Sequence, residues 1–268
     1  METLYRIGVA FGVLLFAAFG SQSALATKPI QALKNDDAVW GGISFSPDST
    51  LIAGAFEKGL VRIWSLKDGS VGDEFRPHRN ADVSNIEMID GHTIVTTGED
   101  GSVVLSIRRK KIASAKRIDI RARGMCLNST KRELAIVDSS DVIKIFESGL
   151  TDSGRLKPDS FGRLLRKISC EHKAKRCTIS PDGKMIATGG LDNSTRLWDR
   201  NTGQNVASWN RSKIESMPSV QFSVFAISFS SDSKLLASGS SDGSCMVCDV
   251  KTKKELRSLT VNGKGAVT

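Results

Sequence analysis

The chain has 268 residues, 40% of them hydrophobic, and carries 38 Lys and Arg against 29 Asp and Glu, a net charge of +9. This excludes wholesale disorder, admits one large domain or two small ones, and favours acidic partners without choosing among them. Aromatic residues are scarce at 6% while glycines number 24, a balance suited to many tight turns.

The first element is apolar. After Met1 to Arg6, residues 7–19 read IGVAFGVLLFAAF without a charge, and GSQSALA and the polar TKPIQ follow. A short head, an apolar core and small residues predict a secretory signal over residues 1–26, cut after Ala24-Leu25-Ala26 so that the mature chain starts at Thr27. Arg6 is opposed by Glu2, so the head is only weakly basic. Kept uncut, the stretch would be an N-terminal membrane anchor, although a spanning helix wants about 20 apolar residues. Residues 27–268 form the second unit.

From residue 38 onward one phrase recurs: a turn, a short strand, an acidic or glycine turn, and a second strand. It is clearest in SPDGKMIATGGLDNSTRLWD (180–199), SFSPDSTLIAGAFEKGLVRIWSL (44–66) and SFSSDSKLLASGSSDGSCMVCDV (228–250). MIDGHTIVTTGEDGSVVLSI (88–107) and STKRELAIVDSSDVIKIFE (129–147) are weaker copies. The aromatic position is held in turn by Trp64, Ser106, Phe146, Trp198 and Cys248, at separations of 42, 40, 52 and 50 residues. Four-stranded propeller blades repeat every ~40 to 45 residues, so the longer separations predict longer loops. Each run has a single apolar face, too little to bury alone; radial stacking lets each small sheet cover its neighbour.

These phrases resemble the WD-repeat β-propeller family over nearly everything from residue 38 to the end. The resemblance implies an all-β fold of about five four-stranded antiparallel blades. It also implies a hydrogen-bonded group in each blade that joins a turn Asp to a His, a Ser or Thr, and the Trp. Repeat four would supply Asp192, Thr188, Trp198 and His172. Repeat five has Asp242 and Ser238 with Cys248 for Trp, and repeat two has Asp100 and Thr97 with His78 upstream and Ser106 for Trp. Repeat three has Asp141, one residue closer than usual, and repeat one has Trp64 but Lys58 in place of Asp. All are read as structural braces. Propellers have ~4 to 8 blades, so five repeats leave three readings: a truncated chain, a small closed ring, or an open array completed by another chain.

Two segments concentrate the charge. Residues 108–123 carry Arg108, Arg109, Lys110, Lys111, Lys116, Arg117, Arg121 and Arg123 against one acid, and residues 155–176 carry Arg163, Arg166, Lys167, Lys173, Lys175 and Arg176 among eight bases against two. Each follows the third strand of its repeat, which predicts a basic rim patch on the outer strands and following loops of two adjacent blades. Such a patch suits an acidic protein, an anionic lipid or a polysaccharide; basic edge strands also serve simply to block edge pairing. Nucleic acid is disfavoured because stacking wants interleaved aromatics and the segments hold only Phe161.

Cys170, His172 and Cys177 lack a fourth ligand for zinc, and a Cys170–Cys177 disulfide becomes reasonable if the chain is exported. Cys245 and Cys248 lie on a strand, where i and i+3 face opposite sides, so they read as core thiols and not as a redox pair. No nucleophile motif and no phosphate loop is present, so no cofactor is implied. The sequence therefore reads as a non-catalytic scaffold for protein–protein interaction, exported or membrane-tethered. Two alternatives stand beside it: an anchored propeller regulating a trafficking or assembly partner, and a propeller-type enzyme using the central channel.

Overall fold

The computed structural model describes residues 39–109, 111–128, 132–150, 157–170, 172–211 and 222–260. The proposed signal of residues 1–26 lies outside them, as do Lys110 and Arg155. The described residues form twenty strands and two short 3-10 turns, and no helix among them is long and apolar enough to cross a membrane.

The strands fall into five antiparallel sheets of four. Blade 1 comprises β1 (Val39–Phe45), β2 (Leu51–Phe56), β3 (Val61–Ser65) and β4 (Val71–Phe75). Blade 2 comprises β5 (Val83–Met88), β6 (Thr93–Gly98), β7 (Ser102–Arg109) and β8 (Lys111–Asp119). Blade 3 is β9 (Ala122–Asn128), β10 (Glu133–Asp138), β11 (Val142–Glu147) and β12 (Leu164–Ser169). Blade 4 is β13 (Ala174–Ile179), β14 (Met185–Gly190), β15 (Ser194–Asp199) and β16 (Asn205–Asn210), and blade 5 is β17 (Val224–Phe229), β18 (Leu235–Ser240), β19 (Ser244–Asp249) and β20 (Glu255–Thr260). Within each sheet the strands lie side by side in chain order, so every blade is a meander closed by its own local turns.

The turns explain why the phrase recurs. Ser46, Ser180 and Ser230 each donate a side-chain hydrogen bond to the Asp two residues on, Asp48, Asp182 and Asp232, at 2.6 Å. The same three hydroxyls accept the backbone N–H of Leu51, Met185 and Leu235 at 2.9 Å, which starts the second strand of the blade. Ser49, Gly183 and Ser233 follow with positive φ of 56°, 70° and 61°. The Ser–x–Asp spacing is thus a turn held by its own side chains.

The first strands pack against one another in the order β1, β5, β9, β13, β17, so they are innermost; no comparable packing joins β17 to β1 among the described residues. The blades form an open five-blade propeller. Four apolar cores lie between consecutive blades. One middle-strand pair per blade faces forward (Ala53 and Ile63, Ala135 and Ile145, Ala187 and Leu197) and the alternate pair faces back (Leu134 and Phe146, Ile186 and Trp198, Leu236 and Cys248). Each blade therefore needs its neighbours to bury either face.

The two end blades keep one face each without a neighbouring blade among the described residues. On blade 1 it holds a small cluster of Ile52, Phe56, Leu60 and Trp64, with Ile43 and Phe45 left 41% and 40% exposed. Blade 5 turns the other kind of face outward, with Leu235 and Leu259 exposed and Ala237 and Val247 half-buried.

Candidate interaction surface

The polar braces lie at the turns joining the second and third strands. In blade 4, Trp198 Nε1–H donates to Thr188 Oγ1 at 2.8 Å, and the same hydroxyl lies 2.8 Å from His172 Nε2. His172 Nδ1 faces Asp192 Oδ1 at 3.4 Å, and that oxygen also accepts the Ser194 hydroxyl (2.6 Å) and backbone N–H (3.1 Å). A carboxylate only accepts, so His172 carries its proton on Nδ1 and Thr188 donates to Nε2. Burial lowers the His172 pKa and keeps the ring neutral, with the nearby Arg196 pushing the same way.

Blade 2 repeats the arrangement: Thr96 Oγ1 lies 2.9 Å from His78 Nε2, and His78 Nδ1 lies 3.0 Å from Asp100 Oδ1. The threonine is Thr96, one position before Thr97; Thr97 points the other way and accepts from Asn85 Nδ2 at 2.8 Å. In a strand, a one-residue shift changes the face. Gly98 and Gly190 make room for the rings, since a Cβ on either would sit 2.4 Å from the histidine Nδ1. The Asp–His–Thr connectivity matches that of an acyl-transfer triad, but His78 and Thr96 are 0% exposed and leave no approach for a substrate.

Three other expected braces differ. Asp141 has φ of 59° and holds the place of Gly101, Asn193 and Gly243, the left-handed residue of the turn. The acceptor in blade 3 is Asp138 instead, whose Oδ1 takes the N–H of Ser140 (2.9 Å) and Val142 (3.1 Å) while Lys144 pairs with Oδ2. The short Asp141 spacing was the sign of this shift by one residue. In blade 5, Asp242 accepts Ser244 N–H (2.8 Å) and Asn193 Nδ2 (2.8 Å), and Ser238 is bound by Thr195 and Arg211, so both tie blade 5 to blade 4. In blade 1, Gly54 stands where Thr188 does in blade 4, and the buried Trp64 Nε1 has no acceptor among the described residues.

The basic segments split. On the outer side, Lys116 reaches Asp159 at 3.4 Å, joining β8 to the connection before β12, and Arg163 pairs with Glu147. Arg166 and Lys167 are exposed on β12. Arg108, Arg109 and Lys111 fall on β7 and β8. Arg117 reaches Asp100 Oδ2 at 2.8 Å, and Arg121 lies in the turn into β9. The expectation of one outer-rim patch fails for the rest. Arg123, Lys175 and Arg176 lie on the inner strands β9 and β13, with Lys173 just before β13, because each segment runs past its outer strand into the next blade.

These inner residues sit at an irregularity repeated from blade to blade. The register of β5, β9, β13 and β17 with its neighbour skips Ser84, Arg123, Lys175 and Phe225 respectively, a β-bulge at the same level each time. Bulges carry no composition signal here, so sequence reasoning missed them. Lys175 Nζ lies 4.2 Å from the centre of the Phe225 ring. Arg176 Nε donates to Phe225 O at 3.1 Å, and its Nη1 lies 3.5 Å from Arg123 O, so one guanidinium ties three bulges together. Arg123 pairs with Asp141 (2.5 Å), but neither Lys175 nor Arg176 has a carboxylate within ion-pair reach among the described residues. Burial lowers both of their pKa values. No group of three or more His, Cys, Asp or Glu among the described residues is arranged to hold a metal ion.

The model of the WD domain, G-beta repeat, matches residues 27–65, 162–199 and 216–249. The chain is 26% identical over 251 residues to a guanine nucleotide-binding protein subunit beta of Solanum tuberosum, covering 88% of this chain and 64% of that protein. It is 26% identical to a ribosome biogenesis protein WDR12 homolog of Trichoplax adhaerens (74% and 49% covered) and 23% identical to periodic tryptophan protein 2 of Arabidopsis thaliana (75% and 21%). The chain thus spans between about a fifth and two thirds of the length of these curated relatives. The chain thus carries WD repeats matched at three places, set in an open propeller of five four-stranded blades, and is similar to WD-repeat proteins.

Proposed function

We propose that this protein is a non-catalytic interaction scaffold that docks an acidic segment of a protein partner at the bulged ends of the inner strands of blades 3 to 5. The observation that carries the reading is the pair Lys175 and Arg176, half-buried beside Phe225 with no carboxylate partner among the described residues. Cations held partly out of water without a counter-charge are costly, and a carboxylate supplied in trans relieves that cost. The rim cations Lys116 and Arg163 already have internal partners. The test is fluorescence anisotropy with a labelled Glu-rich peptide at two salt concentrations. Lys175→Glu should weaken binding at least tenfold, and Arg166→Glu with Lys167→Glu should leave it within twofold; the reverse pattern overturns the reading.

Export or membrane tethering through residues 1–26 belongs to the same proposal. Cell fractionation with N-terminal sequencing decides it: a chain starting at Thr27 supports cleavage, and a full-length cytosolic product refutes export.

Ring completion by another chain is a second reading, favoured by the opposite kinds of the two end faces. Each junction within the chain sets a forward face of the blade 4 kind (Ala187 and Leu197) against a backward face of the blade 5 kind (Leu236 and Cys248). Among the described residues one of each remains over, on blades 5 and 1. Light scattering across a hundredfold concentration range, alone and with candidate propeller partners, should reveal a complex that Ile43→Asp abolishes.

A further inference from the structure

We infer that Cys126 and Cys177 form an inter-blade disulfide site, closed by exchange with a small disulfide of the glutathione class. Cys126 lies on β9 and Cys177 on β13, 51 residues apart in the chain, and their sulfurs are 3.4 Å apart. Both are 7% exposed and belong to the single core between blades 3 and 4. Cys177 Sγ also lies 3.7 Å from the carbonyl of Ala135, the residue opposite Cys126 on β10, so the thiol points directly across the junction. A bond requires the sulfurs to close by about 1.4 Å, within reach of side-chain rotation.

The sequence draws the eye to Cys170 and Cys177 because they are near neighbours in the chain. In the structure Cys170 is in the same core, yet its sulfur has no hydrogen-bond partner among the described residues, while Cys177 is taken by Cys126. Pairing across the blades is decided by how β9 and β13 pack, and chain proximity is irrelevant to it.

The chemistry balances in two exchanges. One cysteine thiolate attacks glutathione disulfide, forming a mixed disulfide and expelling one glutathione thiolate. The second cysteine thiolate then attacks the protein sulfur of that mixed disulfide and expels the other. The two protein thiols lose two electrons and two protons, and one glutathione disulfide becomes two glutathiones. The contact with Cys177, followed by burial, holds the Cys126 thiol well above its ordinary pKa. Exchange in the docked state is therefore slow, and closure belongs to the stage when blades 3 and 4 are still separating or coming together.

The test is to refold the full chain from denaturant in a glutathione buffer rich in the disulfide form, then block remaining thiols with N-ethylmaleimide. Non-reducing proteolysis and mass spectrometry should find one cross-linked pair joining Cys126 to Cys177, with Cys170, Cys245 and Cys248 blocked. Cys126→Ser should abolish the pair and Cys170→Ser should keep it. The cross-linked protein should melt several degrees above the reduced one, because a loop of about 50 residues is closed. A refolded chain with all five cysteines blocked, or with Cys170 joined to Cys177, overturns the inference. Where refolding yields are low, the reduced native chain held with glutathione disulfide just below its melting temperature gives the same peptides to score.

Discussion

Blades 4 and 1 solve one packing problem with opposite chemistry. Both present a tryptophan on the third strand, Trp198 and Trp64, each nearly buried at 3% and 4% exposure. Blade 4 satisfies its indole with Thr188, backs that with His172 and Asp192, and keeps Gly190 so that the imidazole fits. Blade 1 has Gly54 in place of the threonine and Phe56 in place of the glycine. The Phe56 ring stands edge-on to Trp64 at 5.9 Å, and the Arg62 guanidinium lies 5.8 Å from the Phe56 ring centre. The polar brace is replaced as a unit, because a phenyl ring at Gly190's position leaves no room for an imidazole. A WD blade is thus specified by mutually consistent sets of residues, and single substitutions that mix the sets should fail.

The largest break should come from Trp198→Ala, which removes an aromatic side chain from the core between blades 3 and 4 and leaves Thr188 with one partner fewer. A loss of about 3–5 kcal/mol is expected from denaturant unfolding. Glu87 provides the next test, at the junction of blades 1 and 2, where Ser44 Oγ lies 3.5 Å from its carboxylate. Burial raises its pKa to about 7. The folded state then holds a proton that the unfolded state releases above the ordinary value of 4.5, so stability is fully present below that value and falls as pH rises through about 7. Glu87→Gln should remove this slope and add on the order of 2 kcal/mol at pH 8.

The histidine braces have the opposite sign. Burial depresses the pKa of both His78 and His172, so the unfolded state binds protons first as pH falls. Their contribution is present above about 6.5 and is lost as pH drops from there through the folded values. Melting curves from pH 7.5 to 5 should flatten in His78→Gln combined with His172→Gln, at the cost of a lower plateau.

Mixing the two sets should cost less than losing Trp198. Thr188→Val, which orphans the indole of Trp198 and a ring nitrogen of His172, should cost about 1–3 kcal/mol. Gly54→Thr should not rescue Trp64, because its Cβ would sit 3.0 Å from the Phe56 ring and 3.1 Å from Trp64; overpacking of about 1–3 kcal/mol is expected instead. The smallest contrast lies in blade 3. Asp138→Ala should destabilise by about 1–2 kcal/mol, whereas Asp141→Gly should be within about 1 kcal/mol of the parent, since relief of its φ of 59° offsets the lost pair with Arg123. Paired urea midpoints would measure both.

The sequence by itself determined the repeat, the strand pairs and the blade 4 brace of Asp192, His172, Thr188 and Trp198. Ser–x–Asp turns, alternating apolar runs and the Trp spacing are local, and local hydrogen bonds and one-sided burial leave few other structures for them. It misassigned two brace residues: Thr97 for Thr96, one place along the strand and so on the other face, and Asp141 for Asp138, three places away at the other side of the turn. Tertiary structure alone decided three things: that Arg123, Lys175 and Arg176 gather at the inner bulges and not on the rim, that Cys177 meets Cys126, and which face of each end blade lacks a neighbouring blade among the described residues. All three depend on which strands of different blades lie side by side. That is fixed by the packing of apolar faces tens of residues apart, where chain proximity carries no information.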